Sequence, residues 1–572
     1  MKTTALSLFL WAFLFHFGWA QDDILIKDVQ IVHTERGKLQ GPVSIHIANG
    51  LIQKIGKVNE KSLPKSTEII EAEGKYLMHG MIDAHVHFFQ SGGIYTRPDA
   101  LDLRALVPYE EEQNWLIENA PDLMKRYTAA GITHLCDVGG PMQNYKTREQ
   151  AEGLKSAPKL FVTGPLISTY QPDAFKIEDP PIIKIKNAEE ARALVQKQLP
   201  FKPDFIKIWY IVGMGQSAES NYSIIKATIN ESHKNGVKVA VHATQLNTAK
   251  LAVKAGADIL VHSVDNREVD DEFVEMLIEN KVSYIPTLIV SNNYDKAFSK
   301  SFPFTAEDFQ YANPYTIGDI QDLQHISDED LPSFIRRMRK MKYIPRKNED
   351  LMGRNLRTLW DKGVNIVVGT DAGNIGTLHA SSYFEELRAM KRAGLTNAEI
   401  LKAATVNGGT MLEDEKQGKI AISHPANLVL LSANPLEDLG TLSSPEKVIL
   451  RGKSFVPKEL LDNSPEALAQ RQLNAYNARD IEAFLACYHQ DVKIYSYPDQ
   501  LMYQGKDKMR PGYSGMFENT PNLHCELVNR IVMGNVVVDQ EKVTGFSNGR
   551  VIKAAAIYTV VDGLITEVRF VQ

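Results

Sequence analysis

The chain has 572 residues, of which 44% are hydrophobic and 23% charged, enough to bury more than one core and to build two to four domains. A net charge of -6 leaves no broad basic field for nucleic acid or an anionic membrane surface. Three cysteines, Cys136, Cys487 and Cys525, exclude a disulfide scaffold; Cys487 and Cys525 lie in one late segment, where a bridge and two free buried thiols both fit.

The chain opens with a short polar stretch, an apolar run over residues 5–17, and Gly18-Trp19-Ala20 before Gln21. This reads as a secretory signal peptide cleaved after Ala20, so the mature protein is expected to be soluble and either secreted or periplasmic. The run is interrupted by His16 and is shorter than the ~20 residues of a spanning helix.

Residues 22–76 read as short strands, with Asn49-Gly50 as a hairpin signal. Next comes Met81-Ile82-Asp83-Ala84-His85-Val86-His87. Side chains alternate across a strand, so His85 and His87 project to one side, and Gly80 lets the backbone approach another element closely. A bare His-x-His is more often structural than metal-binding, because a metal site needs three or four ligands.

After His87 the chain alternates helical runs with short apolar strands. Seven follow the histidine strand: 132–137, 160–163, 205–209, 237–242, 259–262, 284–287 and 366–371. Eight such units are the count that closes a barrel with its site at the strand C-termini. Lys207 interrupts the fourth, on one face with Phe205 and Trp209; His242 ends the fifth, His262 the sixth and Asp371 the eighth. With His85 and His87 they place nitrogen and oxygen donors on one barrel face, which predicts a metal site. Asp83, on the same strand face as His85, is either an orienting carboxylate or a structural one. Tyr170 and Tyr210 are expected to line the pocket, and residues 291–350, rich in charge and aromatics, are either a lid over the catalytic face or a solvated excursion.

The motifs from Gly80 to His87, Gly131-Ile132-Thr133 through Gly140, Val241-His242-Ala243, Val261-His262-Ser263 and Gly369 to Gly373 resemble those of the amidohydrolase superfamily, closest to the imidazolonepropionase-like branch that includes metal-dependent dipeptidases. The resemblance runs from about residue 22 to 455. It implies a (β/α)8 TIM barrel over residues 77–409 and a small β-sandwich domain from residues 21–76 and 410–460. It further implies that His85, His87 and Asp371 hold one metal, that His242 and His262 hold a second, and that Lys207 bridges them as a carbamate. Two zinc ions are the expected pair, depressing the pKa of a shared water, with Asp371 and His262 as the catalytic residues and Asp371 carrying the proton to the leaving amine. Asn427, where relatives commonly carry aspartate, is expected to affect a turn and not the chemistry.

A second unit spans residues 465–572, after an Asp462-Asn463-Ser464-Pro465 linker. It reads as an amphipathic helix over 466–489, a helical stretch to Phe517 and long strands at 523–532, 536–544, 553–561 and 564–571. The pattern resembles the cone-shaped α+β fold of the steroid-isomerase and polyketide-cyclase-like group, with dimerisation favoured over ligand binding. The whole therefore reads as an exported metal-dependent amidohydrolase acting on a small-molecule substrate: a dipeptide, N-acyl amino acid or cyclic amide. Lactone, carbamate or ester hydrolysis on the same site, or a non-catalytic binding protein on a retained barrel, are the alternatives.

Overall fold

The computed structural model describes residues 23–213 and 215–571. The expected signal peptide, residues 1–20, lies outside the described residues. No helix among those described is long and apolar enough to cross a membrane.

The small N-terminal strands are hydrogen-bonded to one another and to strands from residues 428–455. They are one hydrogen-bonded eight-stranded sheet, in which Ile24–His33 pairs antiparallel with Lys38–Ala48 and parallel, in successive halves, with Glu68–Glu71 and Tyr76–His79. The strand Leu428–Leu431 then joins antiparallel to Tyr76–His79, so residues 77–79, expected in the barrel, belong to this sheet. Gly80 makes the crossing into the next sheet possible: a Cβ there would stand 2.2 Å from the Thr133 side chain. Asn427 accepts the Arg451 N–H at 2.9 Å, the turn role expected of it.

All eight anticipated parallel strands are present, in two sheets. Met81–Val86, Ile132–Asp137 and Lys159–Val162 form one; Phe205–Trp209, Lys238–His242, Ile259–Val261, Ser283–Ile285 and Asn365–Ile366 lie in the other. Two short strands that periodicity missed, Leu166–Ser168 and Ile182–Lys184, extend the second sheet. Backbone bonds cross both gaps between the sheets: Ala84 N–H to Val368 O and Asp371 N–H to His85 O on one side, Asp204 N–H to Val162 O on the other. Beyond the two-residue last strand, Val367 N–H still bonds Tyr284 O, while Val368 O, Asp371 N–H and Ala372 O turn to the histidine-strand segment.

The segment between Ser283–Ile285 and Asn365–Ile366 is helical and half-buried, and it has two tasks. Val290–Phe298 turns Tyr294 toward the strand C-termini, and Pro314–Asp322 receives the C-terminal unit through Asn474 Nδ2 to Pro314 O (2.6 Å) and Gln321 Nε2 to Asn474 O (2.9 Å). In that unit the long helix expected over 466–489 is broken. Pro465–Ala478 ends at Arg479 in the left-handed region, and Asp480 caps Ile481–Ala486. The strands His524–Met533, Val536–Thr544, Ile552–Val561 and Leu564–Val571 follow the expected bounds closely, in a six-stranded sheet that also holds Tyr488–Ser496 and Gln500–Gln504. Cys487 and Cys525 are both free and buried.

Candidate metal centre

Alternation in the histidine strand puts His85 and His87 side by side, their Nε2 atoms 3.4 Å apart. Across the sheet edge, Gly369 leaves room for the Asp371 segment: a Cβ there would meet Ile285 Cγ2 at 2.5 Å and His85 Cβ at 2.9 Å. Asp371 therefore comes to rest with Oδ1 3.2 Å from Nε2 of both histidines. His262 approaches with Nδ1 3.9 Å from Asp371 Oδ2, and its ring meets those of His85 at 4.9 Å and His242 at 4.4 Å between centroids. His262 and Asp371 both have positive φ, at 76° and 62°. Residues without glycine's freedom hold such conformations only where their surroundings enforce them, and these cluster at functional sites.

The tautomers are set from behind. His87 donates Nδ1–H to Gly139 O at 2.8 Å, so in the neutral ring Nε2 is a lone pair facing a carboxylate oxygen. Asp371 Oδ1, His85 Nδ1 and Lys207 Nζ are buried and have no hydrogen-bond partner among the described residues. His85 Nε2, His87 Nε2 and Asp371 Oδ1 thus converge to 3.2–3.4 Å of one another, and with its proton on the unpartnered Nδ1 His85 adds a third lone pair to those of His87 and Asp371. Ligand atoms of a tetrahedral divalent ion with 2.0–2.1 Å bonds lie about 3.3 Å apart. Three such groups fit a divalent metal.

Burial holds His85 and His242 down to about 3, so both imidazoles are neutral, the form that ligates. Burial alone would raise the Asp371 carboxyl, but the imidazole nitrogens of His85 and His87, with His262 farther off, outweigh it and keep Asp371 well below the usual carboxylate range. Burial draws Lys207 down to about 7 against the attraction of Asp371. Asp83 touches no ligand side chain. It accepts Thr370 N–H at 3.1 Å, Thr370 Oγ1–H at 2.8 Å and His85 N–H at 3.3 Å, clamping the two ligand-bearing segments together by their backbones.

A cavity of about 240 Å³ opens from this cluster, and His87, Lys207, His242, His262 and Asp371 all line it. Its walls correct two expectations. Tyr170 is exposed and Tyr210 turns away to donate to Ala218 O; Trp209, sharing a strand face with Lys207, lines the cavity instead. Sequence also missed Thr287, whose hydroxyl lies 2.8 Å from His262 Nδ1, and Arg97 and Asn374 on the opposite wall. No periodicity marks Thr287 or Arg97: Thr287 sits two residues past a strand and Arg97 in the long loop after the histidine strand, where only the fold brings them inward.

The amidohydrolase family model matches residues 76–455, two-thirds of the chain. The chain belongs to the amidohydrolase family. A SnoaL-like domain model matches residues 469–568. Among relatives of this amidohydrolase, an uncharacterized protein of Mycobacterium tuberculosis is 26% identical over 403 residues, covering 67% of this chain and 86% of its own. A Xaa-Pro dipeptidase with methionine bound in its active site superposes with a TM-score of 0.57 at 22% identity, over 76% of this chain and all of its own. Aspergillus niger ochratoxinase does so at 0.54 and 18%, over 76% and 96%. The protein is a hydrolase acting on carbon–nitrogen bonds, of a family typically dependent on divalent metals.

Proposed function

We propose that this is an exported amidohydrolase that cleaves the amide bond of a dipeptide, N-acyl amino acid or cyclic amide, on a closed (β/α)8 barrel whose two sheets are joined by the backbone bonds across their gaps. His85, His87 and Asp371 would hold one divalent ion, zinc suiting their donors best, and His242 and His262 a second. The chemistry such ions supply when bound is acidification of a water and polarisation of a carbonyl. The observation that carries the proposal is the convergence of three buried ligand atoms, His85 Nε2, His87 Nε2 and Asp371 Oδ1, at 3.2–3.4 Å from one another.

The chain's own residues do the rest. Asp371, ionised and with Oδ2 left over once Oδ1 faces the two histidines, accepts the proton of the attacking water and delivers it to the leaving amine nitrogen as the acyl carbon–nitrogen bond breaks. His262 is fixed through Nδ1 by Thr287 at 2.8 Å, with that nitrogen 3.9 Å from Asp371 Oδ2, and its ring lines the cavity. Lys207, buried without an acceptor, is relieved by adding its neutral amine to the carbon of carbon dioxide and releasing a proton; the resulting carbamate anion suits a place between cations. The named relatives include a dipeptidase, which supports an amide substrate here.

The test is purified protein assayed for bound metal and for turnover of a library of dipeptides, N-acyl amino acids, cyclic amides, lactones and esters. Amide cleavage with bound metal is expected. A metal-loaded protein that turns over none of these compounds would reduce the barrel to a binding scaffold.

A further inference from the structure

Arg97 stands on the wall of the catalytic cavity, in the loop that follows the histidine strand, and nothing in the proton transfer above uses it. A guanidinium has five N–H hydrogens. Nε and Nη2 each give one to Asp99, at 2.7 Å and 2.6 Å, and Nη1 gives one to Asn374 Oδ1. That leaves one hydrogen on each Nη with no partner among the described residues. Asp99 does not line the cavity, so the fork grips the guanidinium from behind, while Asn374 lines the cavity and locks it in position.

Asn374 also ties this cation to the reacting end. Its Oδ1 accepts the Tyr294 hydroxyl at 2.8 Å, and its Nδ2 donates to the backbone oxygen of Asp371 at 3.0 Å. Arg97 is thus two hydrogen bonds from the chain atoms of the residue that serves the leaving group. Lys207 is the only other lysine or arginine lining the cavity among the described residues, and it lies at the buried base. The intervening wall, with Phe89, Leu166, Ile182, Trp209 and Met352, is apolar.

We propose that Arg97, held by Asp99 and Asn374, binds the free carboxylate of the leaving amino acid and so makes the enzyme select N-acyl amino acids or dipeptides ending in an apolar residue over uncharged amides. This rests on the amidohydrolase reading of the same site. A carboxylate that accepts two N–H bonds from a pre-oriented guanidinium is recognised in shape as well as charge. Asp265, the anion on the cavity wall besides Asp371, repels a carboxylate placed at its own side, so the two walls are not equivalent.

The probe pair is N-acetyl-L-leucine and N-acetyl-L-leucinamide, both followed by acetate release. The wild type is expected to favour the carboxylate by roughly 10- to 100-fold in kcat/KM, the value of one charge-assisted interaction. Arg97→Met should remove that preference, mainly through KM, whereas Arg97→Lys should keep part of it. Bound metal and melting temperature, read on each variant, show whether the fold survives; if Arg97→Met does not fold, Arg97→Lys and Asn374→Ala decide by the same ratio. Equal losses on both probes would make Arg97 a structural staple and overturn the proposal. If the wild type cleaves neither probe, leucine derivatives are not its substrates and the comparison moves from turnover to binding. Calorimetric binding of L-leucine against L-leucinamide then tests Arg97 alone: equal affinities contradict it, and a carboxylate preference lost in Arg97→Met supports it.

Discussion

Asp371 in the barrel cavity and Glu541 in the cone cavity are both buried carboxyls in comparable spaces, about 240 Å³ and 340 Å³, yet their surroundings drive them in opposite directions. Asp371 faces imidazole nitrogens at 3.2 Å and stays ionised. Glu541 faces Tyr476, Tyr513, Met509 and other apolar groups, with one tyrosine hydroxyl, Tyr558, at 2.8 Å; burial pushes it from 4.5 up to about 7. Its neighbour Asp539 is closed off in a pair with Arg530 at 2.7 Å. The lesson is that burial alone does not make a metal site. The barrel cavity gathers two imidazoles and a carboxylate on one point, whereas the cone gathers a single carboxyl that burial favours as the neutral acid.

Asp371→Asn should give the largest effect, removing at least about a thousandfold of amide turnover while the protein still folds, since one residue serves both as ligand and as proton carrier. Steady-state rates with circular dichroism as the folding control check this, and substantial residual turnover would place the chemistry elsewhere. Lys207→Ala is expected to bind less metal per chain than the wild type and to regain part of its activity with added short carboxylates that stand in for the carbamate. Unchanged metal content and no rescue would mean that Lys207 is an ordinary buried amine.

Asp83→Asn sharpens the account from behind the ligands. An amide cannot accept from three donors as the carboxylate does, so the clamp between the His85 and Thr370 backbones loosens. A loss of roughly 10- to 100-fold in activity or metal affinity is expected. Metal affinity unchanged in a variant of normal melting temperature would show that the clamp is only structural.

The smallest effect on turnover is expected in the cone. Glu541→Gln should leave amide hydrolysis within about twofold of the wild type, because the two cavities share no partner. Stability is where Glu541 should act. Its folded pKa, about 7, lies above the ordinary 4.5, so its contribution is present in full below 4.5 and lost as pH rises through 7. That amounts to about 3 kcal/mol against the cone by pH 8. The glutamine variant should flatten this pH dependence in calorimetry; an unaltered profile would mean that Glu541 is ionised in the folded protein.

Much of this was legible in the sequence, and the exceptions have physical causes. His85, His87, Lys207, His242, His262 and Asp371 stand at or near strand ends whose apolar runs betray them; the structure draws His85, His87 and Asp371 into one cluster and sets Lys207, His242 and His262 along the same cavity. Arg97, Thr287 and Asn374 could not be found that way, because loop residues carry no period and reach the cavity only once the strands are assembled. Tyr210 was misplaced by one residue, which on a strand is the whole difference between the two faces. The helix over 466–489 was over-extended because Arg479 and Asp480 look ordinary in a helical pattern, although one adopts a left-handed turn and the other caps the next helix. In the cone, nothing in the strand pattern singles out Glu541, which is buried beside Tyr558 of the neighbouring strand.

The most direct measurement is metal content and turnover together, by elemental analysis of the wild type and of a His85→Asn, His87→Asn double variant, before and after dialysis against a chelator. At least one divalent ion per chain is predicted in the wild type, lost with activity on chelation and regained with it on adding zinc, and absent from the folded double variant. A double variant that keeps its metal, or a stripped wild type that cleaves N-acyl amino acids at its full rate, would contradict the claim that these buried lone pairs hold the ion that makes the protein a hydrolase.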